Sequence, residues 1–372
     1  MIRLFDTARA EVVPFEPGPN VKMYTCGITP YDAAHLGHAA TYVTFDVLQR
    51  RLGDLGHRVE CVRNITDVDD DILRKARELG VHYLDLAAGE IARFDSDMTA
   101  LGVLPVTSEP RATSAIPDIL GFIAMVLESG HAYRAGGAVY FDVSSFESFG
   151  QVSHLSRDEM LVLAAERGGK PDDPFKDDPL DFVLWQPSLE DEPAWDSLWG
   201  KGRPGWHVEC STLALRELGT TIDLHGGGTD LIFPHHECEA AQSEAATGQP
   251  FVGHWMHVGM VRLGDEKMSK SLGNLVFVHT LLETHDPAAI RLALLDNHYR
   301  ESWEFTGSML DAAAERLERW RASGEGDGGL DAVRARLDDD LDTPGALAAI
   351  DEAAASGLGV SRAAADLLGV AL

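Results

Sequence analysis

One stretch restricts the fold of this chain more than any other. An alternating segment, VKMYTC (residues 21–26), runs into a glycine-bearing loop, CGITPYDAAHLGHA (26–39). Val21, Met23 and Thr25 alternate as in a strand. After His38 the apolar residues Phe45, Leu48, Leu52 and Leu55 recur at spacings of three and four, which predicts a helix. HRVECVRNIT (57–66) then alternates again. Strand, glycine loop, helix and strand form one βαβ unit, the seed of a parallel sheet whose ligands sit at the C-terminal ends of its strands. The loop falls at such an end.

The 372 residues are enough for two or three units with cores of their own, and a hydrophobic content of 45% is globular. No apolar run reaches roughly 18 residues, so no membrane partner is expected. The opening MIRLFDTARAEVV lacks the apolar stretch of a secretory signal, and a cytoplasmic location is expected. The formal charge of −29 opposes attraction to phosphate backbones and favours a small acceptor. Cys26, Cys61, Cys210 and Cys238 are few and far apart, which suggests metal ligation or burial more than a disulfide framework.

Further along, a helical run at 116–127 leads to GGAVYFDVSSF and the polar ERGGKPDDPFKDDPLDFVLW, which reads as an insertion. The strand, loop and helix pattern resumes in TTIDLHGGGTDLIFPHHECEAAQSEA (220–245). Ser308 and Asp311 match a capping box ahead of Leu310, Ala313, Leu317 and Trp320. SGEGDGG (323–329) reads as a flexible linker. The expected organisation is an α/β, Rossmann-like catalytic domain in two halves, 1–109 and 196–265, interrupted by a connective insert at 110–195. A lysine-bearing loop and helical stem (266–322) follow, then the linker and a short helical tail (323–372).

His35 and His38 flank Gly37 at a predicted helix start. Unpaired N–H groups and the helix dipole attract phosphate there, and two imidazoles could donate to an α-phosphate as charge builds. In EKMSKSLGN (266–274), Lys267 and Lys270 could neutralise departing pyrophosphate. Either motif alone is more often an ordinary helix cap or a solvated loop; the pair is rare.

HLGHA and KMSKS together resemble the two signature loops of the class I aminoacyl-tRNA synthetases. GRPGWHVECS (202–211) and HGGGTDLIFPHHE (225–237) narrow the resemblance to the cysteinyl branch, which holds the cysteinyl-tRNA synthetases and the mycothiol cysteine ligases. The resemblance covers about residues 20–320 and implies a class I synthetase catalytic fold that activates an amino acid with ATP and Mg²⁺. Carried over onto matching positions, it implies His35, His38, Lys267 and Lys270 as catalytic. It implies Gly27, Ile28, Thr29, Gly37, Thr41, Asn64, Ile65, Thr66, Gly226, Gly227, Gly228, Thr229 and Val261 as lining the ATP and adenylate site. Trp206 would wall a cysteine pocket, Cys26 would lie in it, and Asp230 would receive the substrate ammonium.

Cys26, Cys210 and His235 are soft or borderline ligands at three loop ends, suited to one Zn²⁺ with an open position. Such an ion would take L-cysteine as thiolate and reject serine and apolar analogues without editing. Glu239, four residues past His235, shares its face on a helix and is a further candidate ligand. In the resemblance, the tRNA synthetases use a glutamate here and the mycothiol ligases generally lack it. Cys238 reads as structural. ERGGKP (166–171) resembles a mycothiol-ligase signature whose fifth residue is normally aspartate; Lys170 departs from it.

Three functions compete: a cysteine ligase acting on the amine of glucosaminyl-inositol, a short cysteinyl-tRNA synthetase charging tRNA, and a catalytically silent relative. The silent reading is disfavoured because the catalytic motifs are all intact. CGITPYDAAHLGHAATY and DPAAIRLALLDNHYRESWEF resemble the mycothiol ligases, whereas DFVLWQPS, ECST and HHECE resemble the synthetases. Only residues 272–372 follow the lysine loop, and they hold no basic stretch to read tRNA, so the aminosugar ligase is the expected function, acting as a monomer.

Overall fold

The computed structural model describes residues 1–31, 34–264, 266–267 and 275–372, with backbone alone at 266–267. Four parallel strands form the central sheet: β1 (Asn20–Ile28), β2 (Arg58–Ile65), β3 (Leu224–Gly228) and β4 (Trp255–Val258). They lie in the order β4-β3-β1-β2. The chain leaves β1 toward β2 on one side and returns to β3 on the other. The crevice at the C-terminal ends of β1 and β3 is therefore the topological switch point, where open α/β sheets bind ligands.

The two faces of β1 belong to different cores, as strand alternation requires. Val21 and Met23 pack with the helix α1 (Leu36–Asp54), contributing to the larger core. Tyr24 and Cys26 face the other way, toward α3 (Trp206–Leu218) and α4 (Glu237–Thr247). Phe45, Leu48 and Leu52 of α1 are buried as their spacing predicts, and Leu55 caps the helix at the surface.

The inserted region carries a four-stranded antiparallel sheet (Ala132–Ala135, Ala138–Phe141, Phe182–Gln186, Arg203–Pro204). It thus closes past the expected boundary at 195. A helix of the same region, α2 (Arg157–Glu166), starts with a complete capping box on Ser156 and Glu159. The insert is tied to the catalytic half by Glu237, whose buried carboxylate accepts from the backbone N–H groups of Gly150 and Ser153 at 2.8 Å each.

Two local expectations are corrected. The helix α6 (Gly307–Ser323) begins at Thr306 with no side-chain cap, and Ser308 instead bonds Thr306 Oγ1 at 2.9 Å, so Ser308 and Asp311 form no capping box. The 323–329 run is not a free tether either. Glu325–Gly328 is a strand held by Val360 N–H to Gly324 O (2.9 Å) and Ser361 N–H to Gly328 O (3.0 Å). A Cβ on Gly326 would meet Leu358 O at 1.9 Å, so the glycine serves close backbone contact rather than flexibility. Val333, Leu337, Leu347, Ile350 and Leu368 of the tail are buried in the same core as α1 and α5 (Pro287–Leu295). Among the described residues no helix is long and apolar enough to cross a membrane.

Candidate active site and metal centre

The C-terminal ends of β1, β2 and β3 bring together three of the segments expected around a nucleotide: Gly27–Thr29, Asn64–Thr66 and Gly226–Thr229. Packing within the protein accounts for several of these residue types. Asn64 is buried, accepts from Gly27 N–H at 2.9 Å and donates to Thr66 Oγ1 at 3.1 Å, which locks the ends of β1 and β2. A Cβ on Gly27 would lie 1.5 Å from Asn64 O, so only glycine fits. A Cβ on Gly226 would lie 2.2 Å from the Phe45 ring and 2.5 Å from Met256 O, and one on Gly227 would lie 2.7 Å from Leu231. Val261 opens a separate short strand (Val261–Leu263) beyond β4 and is buried.

His35 is the N-cap of α1: its Nδ1 accepts from Gly37 N–H at 3.1 Å. Accepting at Nδ1 leaves the proton on Nε2 of the neutral ring, as a donor. The rings of His35 and His38 stack with centroids 3.9 Å apart, and a Cβ on Gly37 would crowd the His35 ring at 2.9 Å. The Thr41 hydroxyl donates to Gly37 O at 3.0 Å, within the helix. Lys270 and the Lys267 side chain lie outside the described residues; the Lys267 backbone pairs with Arg262.

On the α3/α4 face of the sheet, Cys26, Cys210, His235 and Glu239 converge. One potential ligand atom from each lies within 4.8 Å of the others, and all four residues are buried. Cys26 reaches this point from β1 and Cys210 from the first turns of α3. His235 comes from the irregular segment Ile232–His236, where Phe233 is extended (φ −135°, ψ 136°), and Glu239 comes from α4. The two sulfurs are 4.0 Å apart and all cysteines are free. Glu239 Oε1 is 3.0 Å from His235 Nε2 and 3.5 Å from Cys26 Sγ. His225 and His236 also join: Glu239 Oε2 is 3.1 Å from His225 Nε2, and Cys26 Sγ is 3.3 Å from His236 Nε2. Together with Cys26 and Glu239 they form a second, overlapping set of potential ligands.

Neither His225 nor His236 stands out in the sequence. The signal for His236 was the doublet HH, which a regular helix would splay by about 100° per residue and which only the break at Phe233 lets point inward together. Alternation on β3 puts His225 on the α4 face, opposite Leu224. Outer imidazoles fix the inner ones: His207 Nδ1 is 2.8 Å from His235 Nδ1, and His236 Nδ1 is 2.7 Å from His257 Nε2.

The buried groups shift one another's proton affinities. The hydrogen bond from Cys26 draws the Cys210 thiol down to about 6, against the pull of burial. Burial raises the Cys26 thiol, and Cys210 beside it adds to the rise. Burial would also raise the Glu239 carboxyl, but His225 and His235 outweigh it and hold it down to about 2. His235 resists burial through Glu239 and Cys210 and is lifted to about 10. Two cysteine sulfurs, one carboxylate and neighbouring imidazoles, all buried, form a donor set for a divalent metal of borderline softness. Trp206 stacks on the His235 ring with centroids 4.2 Å apart. Asp230 sits in the turn between the glycine triplet and His235.

The chain belongs to the family described as tRNA synthetases class I (C) catalytic domain, whose family model matches residues 12–315. Curated relatives carry a narrower name. Proteins of Nocardiopsis dassonvillei (51% identical, covering 94% of this chain and 88% of the relative) and Thermobispora bispora (49%, covering 100% and 96%) are both L-cysteine:1D-myo-inositol 2-amino-2-deoxy-alpha-D-glucopyranoside ligases. The fold is also that of the methionyl-tRNA synthetase of Mycobacterium tuberculosis (TM-score 0.69, 16% identity, 94% of this chain and 87% of that one). A leucyl enzyme of Agrobacterium radiobacter is similar as well (TM-score 0.63, 12% identity, 96% and 83%). The chain is an enzyme, a ligase of class I synthetase type.

Proposed function

We propose that the enzyme activates L-cysteine with ATP and transfers it to the amine of glucosaminyl-inositol, releasing AMP and pyrophosphate. The observation that carries this reading is the convergence of Cys26, Cys210, His235 and Glu239 in one buried cluster, in a chain about half identical to ligases of that name. The donor set fits zinc: the 4.0 Å sulfur separation is close to the edge, about 3.8 Å, of a tetrahedron with bonds near 2.3 Å. Bound there, zinc would supply a soft Lewis acid for the thiol of the incoming cysteine.

The chain's own residues then act in two steps. Asp230 takes the substrate ammonium and Trp206 closes the side of the pocket, which holds the cysteine carboxylate toward the switch-point crevice. In the first step a carboxylate oxygen attacks the α-phosphorus of Mg²⁺-bound ATP and pyrophosphate leaves. His35 Nε2–H, His38 and the α1 N-terminus stabilise the charge on the phosphoryl oxygens, and Lys267 and Lys270 neutralise the leaving group. In the second step the acceptor amine attacks the adenylate carbonyl, AMP leaves, and the nitrogen gives up a proton as the amide forms.

His35 thus serves as both cap and donor, and the roles separate. In His35→Asn the side chain still caps, so unfolding free energy is expected to stay within about 0.5 kcal/mol. Cysteine-dependent ATP–pyrophosphate exchange is expected to fall roughly 100-fold through loss of one aimed donor. Equal losses of stability and exchange would remove the catalytic role.

One observation favours a second reading, a tRNA acceptor: Glu239 lies among the candidate ligands, as the resemblance implies for the tRNA synthetases. A side-by-side assay decides. Cysteine-dependent exchange followed by formation of cysteinyl-glucosaminyl-inositol supports the proposal; cysteinyl-tRNA without that product overturns it.

A further inference from the structure

We propose that Arg167, supplied by the inserted region, is a positioning residue for the turn that recognises cysteine; the inference rests on the ligase reading above. Arg167 ends α2. Its N–H bonds Leu163 O at 3.0 Å, and Gly169 N–H bonds Ala164 O at 2.7 Å, which closes the helix. Gly168 takes the left-handed conformation (φ 83°), and a Cβ on Gly169 would stand 2.8 Å from Ala164 O. The two glycines therefore stop the helix sharply. Arg167 points across to β3's C-terminal loop, where its Nη1 donates to the backbone carbonyls of both Asp230 and Phe233. Phe233 is extended and interrupts the helical ladder, so the guanidinium supplies donors where the backbone ladder is broken.

The turn gripped this way carries the Asp230 carboxylate, assigned to the substrate ammonium, and leads to His235, a candidate metal ligand just beyond it. Lys176 Nζ donates to Gly169 O and braces the loop from the opposite side. Lys170, where the signature normally has aspartate, is exposed with φ 46°. That left-handed position suits a short polar residue better than lysine, but it lies outside the Arg167 contact. The departure at Lys170 therefore leaves the grip on the turn unchanged.

A positioning role predicts a selective defect. Arg167→Ala should raise the KM for cysteine about 10- to 100-fold in pyrophosphate exchange, since displacement of roughly 1 Å has effects of that size. The KM for ATP should change much less, within about twofold, because two of the three nucleotide segments are fixed by Asn64 and Gly226–Gly228 are held in the sheet by β1 and β4. Zinc should be lost to a competing chelator about tenfold faster, a readout independent of turnover. Arg167→Lys should recover part of both losses, and it carries the same test if the alanine variant folds poorly. Cysteine and ATP KM rising together with lost thermal stability, or neither KM moving, would overturn the inference while leaving the ligase reading intact. A wild-type chain that exchanges no pyrophosphate with cysteine would overturn both.

Discussion

Replacing Cys210 with alanine is expected to empty the metal centre and collapse the choice between cysteine and serine. Cys210 is the ligand drawn down to about 6, so it is the residue most ready to supply a thiolate at neutral pH. Without it, one of the two sulfurs is gone, and burial disfavours the thiolate of the remaining Cys26. Sites built around one polar contact discriminate by about 10⁴-fold or more, whereas simple apolar pockets reach about 10- to 200-fold. The ratio of kcat/KM for cysteine over serine should fall by roughly 100-fold or more, from the first regime to the second. Metal analysis should give about one zinc per chain for the wild type and close to none for the variant. Retained metal with unchanged amino-acid choice would sink the proposed recognition. Because Cys210 sits on the far face of the sheet from α1, the stacked His35 and His38 rings should keep their geometry. The loss should therefore appear in cysteine kinetics rather than in ATP binding.

The second large effect concerns stability. Arg291→Met is expected to cost about 3–5 kcal/mol in urea unfolding, the usual penalty for breaking a buried ion pair from one side. Arg291 is fully buried on α5. Its Nε donates to Leu368 O at 2.6 Å, its Nη1 to Leu101 O at 2.9 Å, and its Nη2 pairs with the buried Asp46 of α1. One guanidinium thus joins α1, α5, the end of the long helix before Leu101, and the C-terminal tail. Methionine fills similar volume but takes the guanidinium donors from two carbonyls and leaves Asp46 with Arg50 and the Leu104 N–H. Adding Asp46→Asn should cost clearly less than the sum of the single changes, because the pair is coupled. A fully additive result would show that the ion pair is not the source of the loss.

Arg291 also marks where sequence reasoning stopped. It lies inside DPAAIRLALLDNHYRESWEF, and its neighbours Ile290, Leu292 and Leu294 announce a buried helix. A charged residue within an apolar run gives no sign of whether it snorkels to the surface or pairs inside. The tail misled for a related reason. SGEGDGG has the composition of a tether, yet Gly326 and Gly328 are required by contact with Leu358 and Gly359, which are about thirty residues on and invisible to any local window.

The amino-acid sequence by itself determined the βαβ start and the histidines at the α1 start, and it offered Cys26, Cys210 and His235, with Glu239 as a further candidate, by their ligand chemistry. Alternation, helical period and ligand chemistry are local properties, and they survive reading one segment at a time. Tertiary structure alone decided that His225 and His236 stand at the same centre, that Arg167 reaches across from the insert, and that the tail completes the main core. Each depends on where a chain break, a crossover or a glycine contact brings distant backbone together. Those placements come from packing the whole chain at once, so no single stretch of residues encodes them.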